Sequence, residues 1–100
     1  MYIYAINICT DTKITDRYDK VAVNEYPVIV IGTEVELVKY LRSPDMAAFI
    51  KDLFRTRNLY EAAVFRIRKV DSNGYWVHQF EYKVKDYVDV QYDNDEPKTK

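Results

Sequence analysis

Cysteine occurs once in this chain, at Cys9, and histidine once, at His78. A lone cysteine excludes an internal disulfide and suits a reducing compartment. One Cys and one His also fall short of the four ligands that a structural zinc centre takes. Glycine appears twice and proline three times in 100 residues, so breakers are scarce and most of the chain is expected to be ordered. Two glycines cannot build GxGxxG, and GxxxxGK[ST] is absent as well, which removes the common phosphate-cradling loops. No apolar run approaches the ~20 residues that span a bilayer. The start, MYIYAINIC, has neither the basic flank nor the cleavage site of a secretory signal. These absences predict a cytoplasmic protein of one domain, residues 1–92, with a charged, disordered tail at 93–100. No cofactor, metal or membrane is implied.

What the chain does have is tyrosine, ten of them, in a composition that is 48% hydrophobic. Tyrosine covers apolar surface while keeping a polar tip. Net charge is −1, but the charges are segregated. Residues 1–38 carry six acids and three bases, 39–69 three acids and eight bases, and 70–100 seven acids and four bases.

The organising stretch is Tyr26 to Arg57. Val28–Ile31 is an unbroken β-branched run between Pro27 and Gly32, which predicts a strand covered on both faces. Thr33 and Glu36 form a capping box, so a helix should begin there, with Leu37, Val38 and Leu41 on its inner face and Val35 at the margin. Ser43-Pro44-Asp45 starts a second helix. Its apolar stripe is Met46, Phe49, Ile50, Leu53 and Phe54, and Asn58 is its expected stop.

Ahead of this stretch, Tyr2–Cys9 reads as an interior strand, because both alternating sets hold apolar residues. Thr10–Lys20 is polar and reads as a loop or the far end of a hairpin. Val21–Val23 is extended again, and Asn24 to Pro27 should bend or bulge it. After the helices, Ala62–Val70 and the long stretch Tyr75–Val90 flank Asn73-Gly74, a strong hairpin signal. With those two residues as the loop, paired residue numbers sum to 147. Ile67–Phe80, Phe65–Tyr82 and Ala63–Val84 then share an apolar face, and Arg66 sits opposite Glu81 on the other. The last strand outruns its partner, so Lys85–Val90 should pair elsewhere, with another chain as one choice. The predicted fold is α+β in two layers (β-β-α-α-β-β). A four- to five-stranded, mostly antiparallel sheet carries two short helices on one face.

Candidates for chemistry are few. His78 lies beside Trp76 on the hairpin and reads as a partly exposed strand histidine; Cys9 reads as a small core residue. Asp11, Asp16 and Asp19 lack the EF-hand spacing and its central glycine. Glu34 and Glu36 would repel an anion at the first helix N-terminus. Catalysis is therefore not expected.

Two binding surfaces suggest themselves. Asp86, Tyr87, Asp89, Tyr92, Asp93, Asp95 and Glu96 form an acidic, tyrosine-bearing C-terminal strand. Such a strand suits docking on a basic surface of a larger protein. The expected role is a non-catalytic regulator or inhibitor, of the kind that phages and viruses encode, acting on a target such as a nucleic-acid-handling enzyme. The surplus strand edge also allows a homodimer. The alternative is a nucleic-acid module using the basic middle third, with Lys51, Arg55, Arg57, Arg66 and Arg68 as contacts and Lys39, Arg42 and Lys69 nearby.

Overall fold

The computed structural model describes residues 1–14 and 17–92, the side chains of 11–21 apart. The expected disordered tail at 93–100 lies outside the described residues. Strand β1 (Tyr2–Ile14) runs through the middle of an antiparallel sheet. Its Tyr4, Ile6 and Ile8 are buried on one face, while Ile3, Ala5 and Asn7 are half-buried on the other. The polar stretch after Cys9 is the far end of a hairpin, the second of its two readings, and not a loop. β1 continues through it to Ile14 and pairs with β2 (Arg17–Ala22), because a ladder begun at Cys9 and Ala22 propagates without needing an apolar face.

β3 (Val28–Gly32) pairs with the first half of β1. β4 (Val64–Asp71) occupies the other edge of β1 from Tyr2 to Cys9, so β2 and β3 follow one another along the same edge. Their registers differ: Cys9 pairs with Ala22, but Ile6 pairs with Val28. The paired numbers thus sum to 31 and then to 34, leaving three surplus residues between the two strands. Asn24 fills the gap. Ile8 N–H donates to Asn24 Oδ1 at 2.7 Å, and Asn24 Nδ2 donates to the carbonyls of Tyr26 (2.8 Å) and Ile6 (3.4 Å). The bend expected from Asn24 to Pro27 is this bulge. A side-chain amide here stands in for a missing rung of the ladder.

Three helices follow. α1 (Glu34–Leu41) opens with the predicted capping box, Thr33 N–H donating to Glu36 Oε1 at 2.8 Å and Glu36 N–H to the Thr33 hydroxyl at 3.4 Å. Gly32, at φ +156°, belongs to this cap, since a Cβ there would run into the Glu36 carboxylate. α2 (Pro44–Leu53) is capped by Ser43 and buries Met46 and Ile50. It ends earlier than Asn58, and a third helix, α3 (Arg57–Ala62), begins on a Thr56 cap. Asn58 is therefore inside a helix. Its preference for helix ends yields to the cap two residues upstream and to burial of Tyr60.

The hairpin of β4 and β5 (Trp76–Lys83) has the predicted register from Val64–Lys83 through Lys69–His78. Nearer the turn it shifts, Val70 pairing with Trp76 instead of Val77. The loop has three residues, not two: Asp71 N–H donates to the Tyr75 carbonyl at 3.0 Å. Gly74 sits at φ +89°, the left-handed position that such a loop requires. Asp71 Oδ1 locks it, accepting from the N–H groups of Asn73 and Tyr75, each at 2.9 Å. Arg66 meets Glu81 at 3.2 Å, as the register demanded.

Leu37, Leu41, Met46, Ile50, Phe54 and Tyr60 cover Tyr4, Ile6, Ile8, Phe65 and Ile67. The architecture is thus α+β, with helices on one face of the sheet.

Two further expectations fail. The surplus C-terminal strand is absent among the described residues: β5 stops at Lys83, a 3₁₀ turn takes Val84–Asp86, and residues 87–92 join no strand. Val88, Val90 and Tyr92 are buried in the core cluster. Their alternation with Asp89 and Gln91 does mark an extended segment, but its buried face meets the helix layer. The Tyr60 hydroxyl donates to the Val88 carbonyl, and its ring lies 5.5 Å from that of Tyr92. The second failure is β3, which is not covered on both faces. Val28 and Val30 pack on the core, but Ile29 is 50% and Ile31 60% exposed.

Candidate functional site

The acidic segment loses its anchors in the fold. Tyr92 is only 7% exposed. Tyr87 is half-buried, stacked on Tyr82 at 4.7 Å and overlaid by the Arg42 guanidinium at 4.8 Å. Asp86 and Asp89 remain exposed, while Asp93, Asp95 and Glu96 lie outside the described residues. The tyrosines that were to grip a partner are spent on this protein's own core, because the apolar helix layer offered them a larger dry surface than an edge would.

The basic middle third does not gather into one surface either. Lys51, Arg55 and Arg57 are exposed on the helix layer, and Arg57 contacts Glu61 at 2.7 Å. Arg66 and Arg68 project from the opposite side of the sheet, level with Asn7 and Ala5. There Arg66 pairs with Glu81, and Arg68 donates to Gln79 Oε1 at 3.3 Å. Of the remaining bases, Lys69 lies over the Tyr2 ring at 4.1 Å.

His78 and Cys9 are far apart. His78 pairs with Lys69 and Cys9 with Val64, five positions along β4, or about 17 Å, and on opposite faces. His78 is exposed, and its ring lies 5.2 Å from that of Phe80, tilted by 33°. Among the described residues no three His, Cys, Asp or Glu side chains come together to hold a metal. Burial raises the phenol pKa values of Tyr4, Tyr60 and Tyr82, Glu34 adding to the rise at Tyr4 and Tyr87 at Tyr82. These tyrosines stay neutral across the physiological range and act as packing groups.

What the fold does assemble is a face. Opposed residues in an antiparallel ladder point the same way, and the registers align Ile31, Ile3, Val70 and Trp76 in one row across β3, β1, β4 and β5. The next row is Ile29, Ala5, Arg68 and Gln79, and the one beyond it Asn7, Arg66 and Glu81. All belong to the face away from the helices. Ile3 and Val70 are half-buried in the middle of the first row, and its ends are open, Ile31 at 60% and Trp76 at 64%. An apolar band therefore crosses one end of the sheet, with Arg66 and Arg68 beside it. The sequence reading missed this band. Its signals are present, a β-branched run and a Trp beside the hairpin turn, but an unbroken apolar run reads as internal.

The fold and this face define a small two-layer α+β protein with an open sheet. No protein-family model, curated protein or solved structure matches the chain. Among the described residues no helix is long and apolar enough to cross a membrane.

Proposed function

We propose that this protein acts by binding another protein, as a non-catalytic regulator or inhibitor in a reducing compartment such as the cytosol. The observation that carries the reading is the row Ile31–Ile3–Val70–Trp76, open at both ends and half-buried between them. Contiguous exposed apolar surface of several hundred Å² marks interaction sites on soluble proteins, and tryptophan is a favoured anchor at their centres. Arg66 and Arg68 border the band, with Glu81 offsetting one charge. The partner that fits brings an apolar surface with an acidic rim, in place of the basic surface expected for the C-terminal segment.

The test is capture from source-cell lysate on three baits: wild type, Trp76→Lys, and the double variant Asp86→Lys/Asp89→Lys, each with and without nuclease. Circular dichroism first establishes that all three baits fold. The expected result is a protein held by wild type and by the acidic-segment variant, indifferent to nuclease, and weakened at least ~30-fold by Trp76→Lys. Loss on the Asp86/Asp89 variant alone would return the function to the acidic segment. Loss on nuclease treatment would assign it to nucleic acid.

A further inference from the structure

The sheet's edges are not alike. A strand edge offers unpaired N–H and C=O groups that another strand can take up, and proteins guard such edges with charges, prolines or bulges. β5 is guarded: His78, Gln79, Glu81 and Lys83 punctuate it, and a register shift breaks it near the turn. β2 has Arg17, Asp19 and Lys20 in its sequence. β3 is Val28-Ile29-Val30-Ile31-Gly32, with no charge and no proline inside it, and among the described residues it pairs with β1 alone.

We infer that the free edge of β3 pairs with the β3 edge of a second copy of this chain, antiparallel about a two-fold axis, joining the two sheets into one. Symmetry restricts the register. A two-fold axis perpendicular to the sheet keeps each residue on its own face, and opposed residues must share a face. The paired numbers must therefore sum to an even value, and 60 is the value that keeps all five residues paired. Val30 then meets its own copy, Ile29 meets Ile31, and Val28 meets Gly32. Val30 with its copy and Ile29 with Ile31 are β-branched and apolar on both sides of the axis, only Val28 facing a glycine, which makes this strand its own complement, and the exposed Ile29 and Ile31 of each copy come together. A five-residue ladder covers less than the ~800 Å² per partner of a standard stable interface, so the dimer is weak.

The experiment is sedimentation velocity on the full chain from about 5 to 500 μM, with four variants. Wild type is expected to shift from monomer to dimer across that range. Ile29→Lys/Ile31→Lys places lysine against lysine and should stay monomeric. Ile29→Lys/Ile31→Glu places opposite charges together at the same register and should dimerise again, with added salt weakening it. Trp76→Lys should dimerise like wild type, which separates the β3 edge from the far end of the apolar row that begins at Ile31, and Asp86→Lys/Asp89→Lys should do the same. On wild type alone, amide exchange of β3 should slow as concentration rises, a readout that does not depend on the variants folding. Wild type that stays monomeric at 500 μM, charge-paired and like-charged variants that behave alike, or a dimer lost on Trp76→Lys would each overturn the inference.

Discussion

Asn24 shows how one side chain can decide a register. Its amide completes β1 where the three surplus residues pull the backbone away, accepting from Ile8 and donating to Ile6 and Tyr26. Asn24→Ala leaves the Ile8 N–H without that acceptor and is expected to cost about 1–3 kcal/mol in denaturant unfolding. Asn24→Asp keeps the Oδ1 acceptor but loses both donors, so it should fall between the two. An alanine variant as stable as wild type would mean that water replaces the amide at no cost. The bend at Asn24 was legible from its place before Glu25-Tyr26-Pro27. Its bridging role was not, because the mismatch exists only once both strands are laid against β1.

At the scale of elements, caps and hairpins were the legible features, since each is written in a few adjacent residues. The α1 cap carries a pH signature. Hydrogen bonds from Thr33, first its backbone N–H and then its hydroxyl, hold the Glu36 carboxyl below its ordinary 4.5. The ionised form is thus favoured by folding. Its contribution is present above pH 4.5 and is lost as pH falls through the lowered value. Glu36→Gln still accepts at the cap but cannot titrate, so its melting temperature should fall less than that of wild type on acidification below about pH 4.5. Equal acid sensitivity would remove Glu36 from the account of α1. The segment after β5 was misread because alternation reveals an extended chain with one dry face and not what lies against it. Here Val84, Val88, Val90 and Tyr92 complete the core. Each is worth about 1.5–3 kcal/mol of burial, against roughly 5–15 kcal/mol for a whole domain. A chain ended at Lys83 should therefore show no cooperative thermal transition by circular dichroism. A sharp transition would mean that this segment only decorates the surface.

For the molecule as a whole, the consequence lies in which side of the sheet stays open. Three helices and the C-terminal segment share the Tyr4–Ile6–Ile8 face, while the Ile3–Ala5 face keeps Ile29, Ile31 and Trp76 exposed. The α+β class followed from the order of periodic segments. The surface proposed for binding did not, because a row across four strands is assembled from residues up to 73 positions apart, Ile3 to Trp76, and only the registers bring them together. The most direct test of that surface is a photo-reactive phenylalanine analogue placed at Trp76 in one variant and at Asp89 in another, each expressed in source cells and irradiated. A discrete adduct with a second protein at position 76, and none at 89, is the predicted result. An adduct at 89 with none at 76 would contradict it and move the binding surface to the acidic segment.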